Sequence, residues 1–165
     1  MKNSILTKLS MLLALSLILA YLETLLPPFW PVPGMKLGLA NIIVLYTLVE
    51  MGKKEALMIT MLRLLSISLL LGTLLTPSFM IGFFGALFSW VGMSWARNRS
   101  LSILGISILG AATHNTGQLL AAYLLIGSTS LFNFLPFLWL ASIPFGSVTG
   151  LIVLLLQKRK LPLHS

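Results

Sequence analysis

The chain has 165 residues, of which 58% are hydrophobic and 8% charged, with a mean hydropathy of +1.02 and a formal net charge of +8. These values exclude a soluble domain whose polar surface covers an apolar core, and they predict a single integral membrane domain over residues 1–165. The absence of cysteine excludes disulfides, thiolate metal sites and cysteine nucleophiles, and we expect no metal or cofactor.

Six apolar runs predict six transmembrane helices, because a hydrocarbon core of about 30 Å needs about 20 helical residues per span. The runs lie near residues 9–26, 37–51, 56–75, 78–96, 101–126 and 131–156. The first run resembles a signal peptide because lysines precede it, but it has no small-residue cleavage site and leads directly into Pro27 and Pro28. We therefore interpret it as a retained helix of an all-α, six-helix membrane protein.

The basic residues predict the orientation of these helices. If the N-terminus is cytoplasmic, nine of the eleven Lys and Arg side chains fall in inside segments: Lys2, Lys8, Lys53, Lys54, Arg97, Arg99, Lys158, Arg159 and Lys160. Arg63 then lies within a span and Lys36 in an outside segment. This distribution follows the positive-inside rule, so we expect both termini in the cytoplasm of a prokaryotic cell and a multi-pass protein of its cytoplasmic membrane. It also attributes the net charge to contacts with anionic membrane lipid, so we expect no nucleic-acid partner.

The link between the first two predicted helices, residues 27–36, contains four of the eight prolines. Proline fixes φ and lacks a backbone N–H, so this segment cannot extend either helix and is predicted to be a stiff external strap. Two interpretations remain open: a rigid turn at the membrane interface, or a lid over a cavity that opens outward. In the second interpretation Phe29, Trp30, Pro33 and Gly34 form the lid, and Lys36 directs its charge at the ligand.

Ionisable and amide side chains are rare in the predicted spans. Such groups cost several kcal/mol in a bilayer unless they face protein or water, so they are candidates for binding a substrate. The candidates, with the strap lysine, are Glu23, Lys36, Asn41, Arg63, His114, Asn115 and Gln118. His114 and Gln118 are four residues apart and share a helix face. Structural roles also remain open, because Arg63 can pair with Glu23 or extend to the inner surface and His114 can join two helices.

Small residues recur at helical spacing in three of the predicted spans, which is typical of closely packed membrane helices. On the first helix the pairs are Ser10 with Ala14 and Ser16 with Ala20; the other sets are Gly85, Ser89 and Gly92, and Gly110, Thr113 and Gly117. We interpret them as packing faces, and the first-helix pairs as a docking surface if a partner membrane protein binds there.

At "PGMKLGLAN" (33–41), "LR" (62–63) and "GAATHNTGQL" (110–119), the chain resembles small six-helix proteins described as the Gx transporter family or heptaprenyl diphosphate synthase component I. These are similar in turn to the substrate-binding S components of energy-coupling-factor (ECF) transporters. The resemblance covers roughly residues 8–157. It implies an S-component-like bundle that binds a small organic solute, such as a vitamin, a flavin, or a quinone or prenyl precursor.

The same resemblance implies partners, namely a transmembrane coupling subunit and two cytoplasmic ATPases. S components dock through an Ala-x-x-x-Ala pattern on the first helix. Here the match is imperfect, because Ser10 stands before Ala14 and Ser16 stands before Ala20.

The synthase description can be weighed by its chemistry. Prenyl chain elongation uses magnesium ions held by clusters of aspartates, whereas this chain has no aspartate and three glutamates. We therefore do not expect an enzyme. The alternative function is a non-catalytic component of a heptaprenyl diphosphate synthase that holds a polyprenyl substrate or product.

Overall fold

The computed structural model describes residues 2–25 and 38–158, with side chains from Ser4 onward. The described residues form six α-helices and one 3-10 helix and contain no strand, which confirms the predicted all-α class. The elements are α1 Lys2–Leu25, α2 Leu39–Glu50, α3 Lys53–Leu70, α4 Pro77–Asn98, α5 Ile103–Ile126, the 3-10 helix Thr129–Phe134 and α6 Leu135–Lys158. The strap, with Phe29, Trp30, Pro33, Gly34 and Lys36, lies outside the described residues.

The bundle has two chemically different ends. We call the end where α1 stops and α2 begins, and where α3 stops and α4 begins, the connector end. The opposite end, where the α2–α3 and α4–α5 links lie and α6 stops, is the basic end, and its described cations include Lys53, Lys54, Arg97, Arg99 and Lys158.

Three helical segments are long and apolar enough to cross a membrane: Ser4–Leu25, Pro77–Asn98 and Thr129–Lys158, the last of which includes the 3-10 helix. These segments support the membrane-protein assignment. In contrast, α2 is apolar but has 12 residues. At 1.5 Å per residue it is about 18 Å long, less than the thickness of a hydrocarbon core. Six membrane crossings therefore remain a prediction.

The observed third helix differs from the predicted one. It begins at Lys53 rather than 56 and ends at Leu70 rather than 75. Gly72, just beyond its end, has a φ of 64°, a left-handed conformation that glycine adopts without strain and that commonly terminates helices. As a result Arg63 lies ten residues after the first residue of α3 and seven before the last, nearer the connector end.

The short helix α2 lies at the centre of the bundle. Leu45 and Leu48 are fully buried, and most of their neighbours on α2 are almost fully buried. The surrounding apolar core combines side chains from all six helices: Leu9, Ile42, Ile43, Val44, Leu45, Leu48, Ala56, Ile59, Met93, Ala96, Ile106 and Val153. A helix too short to span the bilayer is thus surrounded by longer ones.

Glycines allow α4, α5 and α6 to approach each other closely. A Cβ atom on Gly117 of α5 would lie 2.5 Å from the carbonyl oxygen of Phe84 on α4. A Cβ on Gly146 of α6 would lie 2.6 Å from the Cα of Ile108 on α5. Neither site has room for a larger residue, so Gly117 lies on a closely packed helix face, as its spacing predicted.

Polar contacts join four helices at the basic end. The Lys53 ammonium donates to Asn98 Oδ1 (2.7 Å), and the Trp90 indole N–H donates to the carbonyl oxygen of Lys53 (3.0 Å). The Arg97 guanidinium donates to the carbonyl oxygen of Val49 (3.4 Å), and the Gln157 amide donates to Glu50 Oε1 (3.1 Å). These four bonds connect the ends of α2, α4 and α6 to each other and to the start of α3.

Candidate ligand cavity

A cavity of about 270 Å³ extends from the connector end into the middle of the bundle. All six α-helices contribute to its wall. Glu23 and Asn41 line it close to the connector ends of α1 and α2, while Met93 and Ser107 line it deeper in the bundle. The wall combines hydroxyl, amide and charged groups with apolar surfaces such as the rings of Phe79 and Phe145.

Six of the seven residues predicted to bind substrate line this one cavity: Glu23, Asn41, Arg63, His114, Asn115 and Gln118. They come from α1, α2, α3 and α5 and are up to 95 positions apart in the sequence (Glu23 to Gln118). The seventh, Lys36, lies outside the described residues. Their role in binding remains a prediction, but the bundle brings them together.

Arg63 is the most unusual member of the group. Only 8% of its surface is exposed, and its Nε is shielded from solvent with no hydrogen-bond acceptor among the described residues. The carboxylate of Glu23 lies near enough to attract the guanidinium electrostatically. The Arg63 side chain lines the cavity and does not extend to the basic end. Its guanidinium is therefore a buried cation at the cavity wall.

Glu23 has a structural contact of its own. Its Oε1 accepts the backbone N–H of Gly38, which precedes α2 and has a φ of 74°. Glycine takes this left-handed φ at no steric cost. The carboxylate therefore fixes the start of α2 against the last turn of α1, at the two points where the strap leaves and re-enters the described bundle.

His114 and Gln118 lie one turn apart on α5, where that helix faces α4. A Cβ on Gly85 of α4 would lie 2.6 Å from Gln118 Cγ and 3.0 Å from His114 Cε1. The glycine makes room for the two longer side chains between the helices. Because both residues line the cavity, they can present nitrogen and oxygen atoms to a ligand.

Asn115 connects α5 to α6. Its amide nitrogen donates to the carbonyl oxygen of Leu138 (3.1 Å) and to the Ser142 hydroxyl (2.9 Å). Nearby, the Trp139 indole N–H donates to the Thr116 hydroxyl (3.0 Å), which adds a second bond between these helices. Both hydrogens of the Asn115 amide are therefore engaged on α6, which makes the residue a connection between the two helices.

Several hydroxyl groups on the cavity wall were not predicted from the sequence: Ser68, Thr73, Ser78, Ser89, Ser107, Ser142 and Thr149. A hydroxyl on an apolar helix can bond to the carbonyl oxygen four residues earlier, so it carries little sequence signal. Ser89 was interpreted only as a small packing residue. Its Oγ is buried and has no hydrogen-bond partner in the described part of the chain.

The four residues of the predicted docking surface do not share one environment. Ser10 and Ala14 are exposed on α1. Ser16 is completely buried, and Ala20 lines the cavity. Only the first pair therefore lies on an outer face of the described bundle.

A family model described as heptaprenyl diphosphate synthase component I matches residues 12–156, which is most of the chain. No curated protein and no solved structure matches the chain.

Proposed function

The chain belongs to the heptaprenyl diphosphate synthase component I family, and on that premise we propose that it is a non-catalytic membrane protein that binds a small organic anion. In this proposal it acts as the substrate-binding subunit of an ECF-type transporter. The observation that carries the proposal is the buried Arg63, whose Nε has no acceptor among the described residues and whose side chain lines the cavity.

The argument rests on the free energy of a buried cation. An arginine at the centre of a membrane helix costs about 2.5–3.5 kcal/mol on insertion scales, so such residues are expected to have a partner. Glu23 attracts the guanidinium electrostatically, but neither of its oxygens accepts a hydrogen bond from Arg63 Nε. An anionic ligand would provide the missing acceptor, and a hydrogen bond to a charged group contributes about 1.5–3 kcal/mol.

The size of the cavity favours a small ligand. Its volume of about 270 Å³ is slightly below the usual range of about 300–1,000 Å³ for small-molecule sites. At the ~30 Å³ that one water molecule occupies in the liquid, it would hold about nine molecules. A compact organic acid fits this volume completely, whereas the seven isoprene units of a heptaprenyl group do not.

The transport role also specifies an orientation and a docking surface. Both termini and the basic end face the cytoplasm, and the connector end, where the cavity begins, faces outward. The exposed Ser10 and Ala14 form the contact with a transmembrane coupling subunit, which two ATPases drive. Small side chains at this position allow the helix backbones to approach closely.

The family description favours a second candidate, a non-catalytic component of a prenyl diphosphate synthase. In that role Arg63 would hold the diphosphate, while the hydrocarbon chain extends out of the cavity into lipid. The two roles predict different partners, because an S component binds a membrane coupling subunit and a synthase component binds a soluble, aspartate-rich prenyltransferase.

Co-purification distinguishes the two functions. A tagged protein is extracted from its native membrane in mild detergent, and mass spectrometry identifies both the bound proteins and the bound small molecules. We expect a coupling subunit, two ATPases and a small organic anion. The Ala14→Trp variant should lose the coupling subunit by steric exclusion, whereas Leu15→Trp, which enlarges an exposed neighbour, should retain it.

The other outcomes are equally informative. Recovery of a soluble prenyltransferase without ATPases would identify the synthase component instead. If neither kind of partner and no organic anion is recovered, both functions are contradicted.

A further inference from the structure

One serine on α4 belongs to the cavity wall, and its hydroxyl group makes no hydrogen bond to the described residues. Ser89 is 2% exposed and lines the cavity, and its Oγ has no hydrogen-bond partner among the described residues. Helical hydroxyls usually bond to the carbonyl oxygen four residues earlier. Thr60 and Thr116 do so here at 2.7 and 2.8 Å, and Ser142 on the same cavity wall does so at 2.7 Å.

The Ser89 hydroxyl lies close to a glycine of the neighbouring helix α5. A Cβ on Gly110 of α5 would lie 3.5 Å from Ser89 Oγ. Ser89 is twelve residues from the start of α4, or about 18 Å from the connector end of that helix. Arg63 is seven residues from the end of α3, or about 11 Å from the same end. Ser89 therefore lies farther along its helix from the connector end than Arg63 does along α3.

We propose that Ser89 is a second polar subsite and that the ligand is an organic anion with an uncharged hydrogen-bonding group at its far end. The anionic group binds Arg63, and a hydroxyl, carbonyl or amide group at the other end of the molecule binds Ser89. A serine hydroxyl both donates and accepts, so it suits any of these three groups. This inference rests on the proposed anion site and adds the chemical class of its ligand.

The apolar part of the wall fits the middle of such a molecule. Phe145 lines the cavity ten residues into α6. An aromatic wall suits a flat ring or a short methylene chain. Hydroxylated aromatic acids and terminal hydroxy acids of similar length have the required arrangement.

The test uses two matched pairs of probes. Benzoate is compared with 4-hydroxybenzoate, and hexanoate with 6-hydroxyhexanoate, by calorimetry on the detergent-solubilised protein. In the wild type the hydroxylated member of at least one pair should bind about 2- to 12-fold more tightly, which is the range expected for one neutral hydrogen bond. In Ser89→Ala the two members of that pair should bind equally.

Ser94 supplies a matched control. It lies on the same helix, is 7% exposed, and has a buried Oγ without a hydrogen-bond partner in the described bundle, but it is not part of the cavity wall. Ser94→Ala should keep the preference for the hydroxylated probe. Since each substitution removes a hydroxyl that has no partner, neither should lower the melting temperature.

Each other result contradicts the inference. If the acids bind but Ser89→Ala and Ser94→Ala behave alike, the second subsite is refuted while the anion site stands. If hydroxylated and unsubstituted acids bind the wild type equally, the second subsite is refuted without any variant. If no probe binds at millimolar concentration, the ligand class is wrong, and the co-purification experiment decides separately whether the proposed function survives.

Discussion

Replacement of Arg63 by leucine separates a ligand-binding arginine from a structural one. The side chain is buried and its Nε has no acceptor among the described residues, so its removal takes a costly cation out of the bundle. We expect the unliganded Arg63→Leu protein to melt no lower than the wild type. We also expect it to bind 4-hydroxybenzoate about 10- to 150-fold more weakly, since a charged hydrogen bond contributes about 1.5–3 kcal/mol.

The size of the effect in a thermal melt follows from these values. Ligand at 100 times its Kd stabilises the wild type by about 2.7 kcal/mol, which corresponds to a rise in Tm of about 5–11 °C for a chain of this size. If Arg63→Leu weakens binding 100-fold, the same ligand concentration equals the new Kd. The stabilisation then falls to about 0.4 kcal/mol and the rise in Tm to about 1–2 °C.

Arg99→Leu is the control for this experiment, because it removes the same charge from an exposed position at the basic end, where the guanidinium lies over the Trp95 ring. It should keep the full ligand-induced shift. The reasoning is refuted if Arg63→Leu loses stability equivalent to about 3–5 kcal/mol and still shows the wild-type shift with ligand. That result would identify Arg63 as a structural ion-pair partner of Glu23.

Three further predictions concern packing, the α5–α6 connection and topology. Gly146→Ala should lower the stability by about 1–3 kcal/mol in a thermal melt, because its methyl group would meet the Ile108 backbone, whereas Gly82→Ala, whose nearest neighbour is 3.9 Å away, should not. Asn115→Ala should lower the Tm, because the amide of Asn115 donates to α6, and it should change the affinity for 4-hydroxybenzoate by less than about threefold. An unchanged Tm with a large loss of affinity would instead make Asn115 a ligand-binding residue. Reporter fusions after residues 54 and 99 should be cytoplasmic, and an external signal at either point would contradict the orientation.

The sequence was sufficient to find the charged and amide side chains of the cavity wall, because such groups are costly inside a bilayer. Their presence in apolar runs therefore identifies Glu23, Asn41, Arg63 and the polar residues of α5 without any knowledge of their contacts. Hydroxyl groups give no such signal, since most can bond to their own helix. The Thr60 hydroxyl bonds to its own helix, whereas the Ser89 hydroxyl has no partner among the described residues. The sequence does not show this difference.

The end of α3 and the hydrogen-bond partners of Asn115 could not be predicted from the sequence and are known only from the structure. The run from Leu69 to Leu75 is apolar apart from Gly72 and Thr73, so hydropathy extends α3 through a link in which both Gly72 and Leu75 have a positive φ. Asn115 has the same chemistry whether it binds a ligand or a helix. Its partner Leu138 is 23 residues away, and the choice depends on how closely α5 and α6 approach each other.

The four polar bonds at the basic end make that end a pivot for the bundle. A helix of 22 residues such as α4 is a lever of about 33 Å. Tilting it by about 5° about the pivot moves its far end by about 3 Å, while atoms beside the pivot move by a few tenths of an ångström. In the proposed transport role, a small tilt of this kind would open a path for a solute between the far ends of the helices while the bonds at the basic end stay intact.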